Sequence, residues 1–201
     1  MIRTVISDMG NVILPFDVTA FLERISEYSS MNKEDVMKIP VLHDGLINSF
    51  CKGLISPQEY YHNMKKIFKA DIDFKKFKRI YCDIFSLNSS VLHTLSKLKG
   101  EKKLILLSNT DTLHFNFIKK RYPEIFIFDD YVLSYQTGSV KPEHHIFEQA
   151  LKLAGDKPES AVFIDDMEEN IQAAEELGLK TVHFVSGKDL EAELKKWGLS
   201  F

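Results

Sequence analysis

Acidic side chains and one lysine stand at the ends of short apolar runs in this sequence. Asp8 follows "RTVIS", the pair Asp165-Asp166 ends "AVFIDD", and Ser108 ends "KLILLS". Lys141 comes a short loop after "YVLS". If these runs are parallel strands, their carboxyl ends meet at one edge of a sheet, which is where open α/β sheets bind ligands. We therefore expect these five side chains to converge.

Side chains of these types have the chemistry of a phosphate-ester site. Mg²⁺ takes carboxylate oxygens as ligands, together with water and a substrate phosphate. The Ser108 hydroxyl and the Lys141 ammonium could bind the other phosphate oxygens. The Asp8 carboxylate could attack phosphorus and give an aspartyl-phosphate, since a cation and Lys141 would offset its repulsion from an anionic substrate.

The apolar runs are short and continuous, which is typical of parallel strands that are buried on both faces. The predicted strands are 3–7, 103–108, 131–134, 161–165 and 181–185. Segments with helical periodicity separate the last four of them. This alternation predicts an α/β fold, with an open, mostly parallel sheet and helices on both faces.

A long helical stretch, residues 16–86, separates the first strand from the others. Within it, Ser56 and Glu59 have the spacing of a capping box at the start of a helix. We expect the chain to divide into an α/β core, residues 1–15 and 87–201, and a small helical bundle inserted after the first strand.

The composition argues against several classes of partner. The 201 residues carry a net charge of −3 and the pI is about 6.2, whereas binding of nucleic acid or an anionic membrane favours a strongly basic face. No apolar run approaches the ~20 residues of a membrane helix, and the N-terminus lacks the layout of a signal peptide. Cys51 and Cys82 are expected to be free thiols in a reducing cytoplasm. No oligomeric state follows from the sequence.

Four stretches, taken together, resemble the motifs of the haloacid dehalogenase-like hydrolase superfamily. In chain order they are "VISDMGNVIL", "LILLSNTD", "GSVKPEHHIF" and "AVFIDDMEENIQAA". The helical stretch after the first motif resembles the α-helical cap of that family. The resemblance implies a Rossmann-like three-layer core with a mostly parallel sheet, plus an α-helical bundle cap inserted after the first strand.

The resemblance also implies a metal site at the ends of the first and fourth strands. Asp8 would be the nucleophile and a ligand of Mg²⁺, and Gly10 would offer its backbone carbonyl. Asp166 would be a further ligand, whereas Asp165 would be either a ligand or the residue that orients one.

On the phosphate side, the resemblance assigns roles to the second and third motifs. Ser108 and the backbone N–H of Asn109 would bind the phosphate. Lys141 would bridge the phosphate and Asp8. The substrate would be a small-molecule phosphate ester.

Gly10 departs from the pattern of most phosphatases of the superfamily, which carry a second Asp two residues after the nucleophile. That Asp protonates the leaving alcohol and then deprotonates the hydrolytic water, and such general acid–base help is typically worth ~10²–10⁴-fold. The motif "DMGNV" nevertheless resembles a subgroup with Asp-x-Gly-Asn-Val that includes sugar-phosphate phosphatases. His43, in the helical stretch, is one candidate for a substitute proton donor.

The leading interpretation is a Mg²⁺-dependent phosphomonoesterase acting on a small metabolite such as a sugar phosphate. A haloacid dehalogenase-type hydrolase is the first alternative, because it also attacks through an Asp and also lacks the second one. Its chemistry needs no metal, so the acid pair at 165–166 argues against it. The second alternative is a weakly active, phospho-ligand-binding regulatory protein, which only Gly10 favours.

Overall fold

The strands form one parallel sheet, so their carboxyl ends lie at the same edge. The computed structural model describes residues 1–40, 45–185 and 189–201. The strands are β1 Thr4–Ser7, β2 Lys103–Ser108, β3 Asp130–Leu133, β4 Ala161–Asp165 and β5 Lys180–His183. Their order is β3-β2-β1-β4-β5, and each neighbouring pair is parallel. The predicted strands are confirmed, with bounds that differ by at most two residues.

Helices cover the sheet and fill the chain between β1 and β2. Between β1 and β2 they are α1 Val18–Ser26, α2 Lys33–Met37, α3 Gly45–Cys51, α4 Pro57–Ile67, α5 Phe74–Cys82 and α6 Ser89–Lys97. After β2 they are α7 Thr112–Arg121, α8 Ser134–Thr137, α9 His144–Ala154, α10 Glu168–Glu176 and α11 Leu190–Lys195. The predicted capping box is present, since Ser56 Oγ accepts from the Glu59 N–H at 3.2 Å and the Glu59 carboxylate accepts from the Ser56 N–H at 2.8 Å.

The sheet is buried on both faces because neighbouring strand residues alternate between two apolar clusters. Val5 and Leu106 face a cluster that includes residues of α6 and α11. Ile6 and Leu107 face the other cluster, which includes residues of α9 and α10. This two-sided burial accounts for the continuous apolar runs in the sequence. The three-layer α/β class predicted from the sequence is therefore confirmed.

The inserted segment has an apolar core of its own. Phe21 of α1, Tyr60 of α4 and Phe77 of α5 meet there, and the Phe21 and Phe77 rings pack edge to face with centroids 6.2 Å apart. Helix α6 packs against the sheet instead, through Val91 and Leu95. We call α1–α5 the cap. The separate clusters support the proposed domain boundaries near residues 15 and 86, which stay a prediction.

Both cysteines are free, Cys82 buried and Cys51 half-buried. Burial, and next the negative charge of Asp111, raises the pKa of each thiol, so both remain protonated at neutral pH. None of the described helices combines the length and the apolar character that a membrane crossing requires.

Candidate active site

Asp8, Lys141 and Asp165 form a buried ion cluster at the carboxyl edge of the sheet. The Asp8 N–H donates to the Ile164 carbonyl of β4 at 2.9 Å, which extends the ladder by one residue and sets Asp8 beside Asp165. The Lys141 Nζ lies 2.8 Å from Asp8 Oδ1 and 2.6 Å from Asp165 Oδ2. All three residues are buried. The first, third and fourth motifs are thus brought together as predicted.

Asp166 completes an acid cluster with Asp8 and Asp165. One carboxylate oxygen from each lies within 4.8 Å of the others. The pKa of Asp8 is raised from 3.8 to about 7, because burial and the negative charge of Asp165 together outweigh the opposing effect of Lys141. Three ionised carboxylates and one ammonium leave a charge of −2, so a divalent cation would neutralise the cluster and favour its ionised state. Oxygen ligands of this kind fit Mg²⁺.

Asp165 is held by more partners than the other acids. Its Oδ1 accepts from the Met167 N–H at 2.8 Å and from Asn170 Nδ2 at 2.9 Å, while its Oδ2 faces Lys141. Both oxygens are therefore engaged within the protein. The sequence left open whether Asp165 is a metal ligand or orients one. These contacts favour an orienting role, although the charged side chain that Asp165 holds is that of Lys141 and not that of the ligand Asp166.

Asp166 is half-buried and has a different partner. Its Oδ2 accepts from Asn11 Nδ2 at 3.0 Å, and burial raises its pKa. Sequence reasoning missed Asn11. Its backbone lies in the left-handed region, at φ 51°, which Asn tolerates better than most residues. That preference, in a turn directly after the nucleophile strand, is the signal that could have pointed to it.

Asn109 fixes the backbone that carries Lys141. Its Nδ2 donates to the Lys141 carbonyl at 2.9 Å, and its Oδ1 accepts from the Lys141 N–H at 2.7 Å. Burial opposes the charge on Lys141, but Asp165 and Asp8 outweigh it and raise the pKa of the ammonium. Lys141 is therefore charged and held in place. The sequence predicted a role only for the backbone N–H of Asn109.

Ser108 is buried at the end of β2, with 1% of its surface exposed. Its Oγ has no hydrogen-bond partner in the described part of the chain. An unpaired buried hydroxyl is unfavourable, and a phosphate oxygen would satisfy it. The structure thus leaves Ser108 available for its predicted role.

The backbone of Gly10 is outside the left-handed region. Its carbonyl accepts from the Val12 N–H at 2.6 Å, which leaves one lone pair for another partner. A Cβ on residue 10 would lie 3.2 Å from Cε1 of Phe16, so the phenyl ring would have to shift by a few tenths of an ångström to admit a side chain. The other proton-donor candidate, His43, lies outside the described residues.

A cavity of about 130 Å³ lies between the cap and the core, next to Gly10 and Ser108. One wall contains a buried polar cluster of Tyr81, Asp111 and His114. The His114 Nδ1 is 2.8 Å from Asp111 Oδ2, and its Nε2 is 3.0 Å from the Tyr81 carbonyl oxygen. Burial opposes a charge on His114, but Asp111 outweighs it and raises the imidazole pKa. Because both ring nitrogens face acceptors, the imidazolium form satisfies both contacts.

The sequence also compares well with characterised proteins. The sequence model of a family described as haloacid dehalogenase-like hydrolase matches residues 2–178. The D-ribitol-5-phosphate phosphatase of Bacteroides thetaiotaomicron is 26% identical over 207 residues, which cover 96% of this chain and 97% of that protein.

Two solved structures show how the fold compares. A HAD family enzyme from Bacteroides thetaiotaomicron, in complex with magnesium and inorganic phosphate, has a TM-score of 0.84 at 26% identity and covers 96% of this chain and 99% of its own. The L-2-haloacid dehalogenase of Xanthobacter autotrophicus, with chloropropionic acid covalently bound, has a TM-score of 0.66 at 14% identity and covers 98% and 83%. The second likeness concerns the fold alone.

Proposed function

The chain belongs to the haloacid dehalogenase-like hydrolase family, and on that premise we propose that it is a Mg²⁺-dependent phosphomonoesterase acting on a small metabolite. The observation that carries the proposal is the acid cluster around Lys141, whose charge of −2 in the fully ionised state suits a divalent cation. Two relatives support it: one is named as a D-ribitol-5-phosphate phosphatase, and one was solved with magnesium and phosphate. Sugar phosphates are therefore among the first esters to test.

In the first step, the Asp8 carboxylate attacks phosphorus and the bond from phosphorus to the alcohol oxygen breaks. Lys141, the Ser108 hydroxyl and the Asn109 backbone N–H would hold the non-bridging phosphate oxygens as charge moves onto them. The leaving alkoxide takes a proton from water or from another donor, because Gly10 has no side chain to supply one.

In the second step, a water molecule attacks the phosphorus of the aspartyl-phosphate. The bond from phosphorus to the Asp8 carboxylate breaks, inorganic phosphate leaves, and Asp8 is regenerated as a carboxylate. Lys141 remains paired with Asp165 throughout and keeps the positive charge beside the phosphate.

The residues that would hold Mg²⁺ are Asp8, Asp166 and the carbonyl of Gly10. When bound, the cation would supply charge neutralisation between the carboxylates and the phosphate oxygens. Asn11 would keep Asp166 turned toward the site through its hydrogen bond of 3.0 Å.

The acid cluster argues against the dehalogenase alternative. The dehalogenase reaction uses no metal, so its carboxylate substrate would approach acids that no cation neutralises, whereas a phosphate ester would bind with the cation in place. A phospho-ligand-binding protein without turnover would share the same geometry, so only an activity measurement separates it from the phosphatase.

The test is release of inorganic phosphate from p-nitrophenyl phosphate and a panel of metabolite phosphates, with Mg²⁺ and with EDTA. We expect release only with Mg²⁺. Asp166→Ala should raise the Mg²⁺ concentration for half-maximal rate at least about tenfold, since losing even a residue that only orients a metal ligand weakens metal binding by about 10–100-fold. The matched control is Asp71→Ala, because the Asp71 side chain is fully exposed. Full activity in EDTA would contradict the proposal, and chloride release from a haloacid would favour the dehalogenase.

A further inference from the structure

The cavity between cap and core is mostly apolar, although it begins beside the nucleophile. Its apolar lining includes Phe16, Val18, Phe21, Ile47, Ile84 and Phe85. At the core end it is bounded by Gly10 and Ser108. Any ester whose phosphate lies against Ser108 and Asp8 would therefore extend its alcohol part into this cavity.

Phe16 borders the space directly beside the nucleophile. A Cβ placed on Gly10 would lie 3.2 Å from Phe16 Cε1 and 4.0 Å from Asp8 Oδ2. The Phe85 ring meets Phe16 edge to face, with centroids 6.1 Å apart. Two aromatic rings thus stand where the alcohol of the substrate would be released.

The polar side chains in the cavity wall are already bound within the protein. Asp111 accepts from the Tyr81 hydroxyl, from the His114 ring and from the backbone N–H groups of Leu113 and His114. The Asn109 side chain is bonded to the Lys141 backbone. Among the lining residues that the structure describes, Ser108, Thr110 and the Cys51 thiol remain. The first two belong to the strand end that carries the proposed phosphate site, and a thiol is a weak hydrogen-bond donor.

We propose that the alcohol part of the substrate is apolar and about the size of one six-membered ring. The inference rests on the proposed phosphatase activity and narrows its substrate class. A cavity of about 150 Å³ lined by Leu, Ile and Phe holds benzene, and the cavity here has about 130 Å³. Hydroxyl groups of a sugar would lose water there and find few partners among the residues that the structure describes, which is unfavourable.

The experiment compares kcat/KM for cyclohexylmethyl phosphate and glucose 6-phosphate. Each carries its phosphate on a CH₂ group attached to a six-membered ring and each releases a primary alcohol, so they differ mainly in the hydroxyls. We expect the cyclohexyl ester to be preferred at least about tenfold, because each unpaired buried hydroxyl is costly. An equal or greater kcat/KM for glucose 6-phosphate would overturn the inference and leave the phosphatase proposal standing. If neither ester nor p-nitrophenyl phosphate releases phosphate with Mg²⁺, both proposals are overturned.

A pair of variants tests whether the alcohol lies in this cavity. Val18→Thr replaces one methyl group of the lining by a hydroxyl at nearly the same shape, so the preference for the apolar ester should fall several-fold. The control is Leu153→Thr, because Leu153 is 37% exposed on α9 and does not line this cavity. A preference that stays the same in Val18→Thr would mean that the alcohol binds elsewhere, which would overturn the inference.

Discussion

At the scale of single residues, the position of the Phe16 ring accounts for the glycine at position 10. A side chain at position 10 would require the Phe16 ring to shift, since its Cβ would lie 3.2 Å from the ring. The backbone of Gly10 does not require glycine, because it is outside the left-handed region. The absence of a second acid next to Asp8 is therefore tied to an aromatic wall of the cavity rather than to a strained turn.

Two substitutions at these positions test that account. Gly10→Asp alone should lower the rate for all esters, because the new side chain and the Phe16 ring compete for space. Gly10→Asp combined with Phe16→Ala should raise the rate for alkyl esters at least about tenfold more than for p-nitrophenyl phosphate, since a general acid is worth ~10²–10⁴-fold and matters most for poor leaving groups. The measurement is kcat/KM for both esters.

Phe16→Ala alone is the control for the double variant. If the double variant changes alkyl and aryl esters equally, then residue 10 does not reach the leaving oxygen. The missing proton donor would then have to be sought in the cap.

The sequence predicted the ionic part of the site because that part follows from topology. Three of the site residues lie at the ends of strands, namely Asp8, Ser108 and Asp165. A parallel sheet therefore brings them to one edge, regardless of the contacts that their side chains make. Asn11 and Phe16 were missed, because their contacts depend on the path of the turn after β1. The pattern of apolar and polar residues in the sequence does not predict the path of that turn.

At the scale of elements, the buried polar cluster joins the cap to the core. Tyr81 belongs to α5 of the cap, whereas Asp111 caps α7 of the core and His114 lies in its first turn. The Tyr81 hydroxyl donates to Asp111 Oδ2 at 2.9 Å, and its ring stacks on His114 with centroids 4.1 Å apart. No local sequence pattern predicts this contact, because it links helices that are distant along the chain.

The cluster should make stability depend on pH. The pKa of His114 is raised by Asp111 against the effect of burial, so its contribution is complete below the ordinary His pKa of about 6.5 and is lost as pH rises through the raised value. The pKa of Asp111 is lowered, as His114 outweighs burial, so its contribution is lost only as pH falls through that lowered value. The full contribution therefore lies between about pH 4 and pH 6.5.

The measurement is the free energy of unfolding in urea for wild type and His114→Gln. The wild type should be more stable by roughly 1.5–3 kcal/mol near pH 6, the size of a charged hydrogen bond, and the difference should shrink toward pH 9. His145→Gln is the matched control, since that side chain is 57% exposed on α9. A difference that stays constant over this range would show that His114 is not charged in the folded protein.

At the scale of the whole molecule, a close contact sets the distance between cap and core. Gly53 lies between α3 and α4 with φ 68°, and a Cβ there would lie 2.5 Å from the Tyr135 carbonyl oxygen of α8. Next to it, Lys52 forms an ion pair with Glu143, two residues beyond Lys141. The position of the cap and that of the Lys141 loop are therefore linked.

Gly53→Ala should hold the cap away from the core. The left-handed conformation costs a non-glycine residue roughly 1–2 kcal/mol of folding stability at either position, whereas the clash with Tyr135 is specific to Gly53 and displaces the cap. We expect kcat/KM to fall about tenfold, which corresponds to a loss of about 1.4 kcal/mol in transition-state binding. Gly100→Ala is the control, because Gly100 also has a positive φ but a Cβ there would meet nothing within 4 Å. Equal losses in the two variants would mean that this contact does not position the cap.

The strands and helices could largely be predicted from the sequence, whereas the contacts that position the cap on the core could not. Buried parallel strands leave continuous apolar runs, and helices leave caps such as Ser56, so both appear in the sequence. The contact at Gly53 depends on the Tyr135 backbone, which lies far along the chain. No local pattern encodes that distance.

The central claim is that Asp8 carries the phosphoryl group during turnover. Its most direct test is the mass of the Asp8 peptide after rapid acid quenching of the enzyme during hydrolysis of p-nitrophenyl phosphate with Mg²⁺. We predict one added phosphoryl group on that peptide in the wild type, and none in Asp8→Asn or in EDTA. A burst of p-nitrophenol equal to the enzyme concentration, with the phosphoryl group on another residue or with none on the Asp8 peptide, would contradict the account.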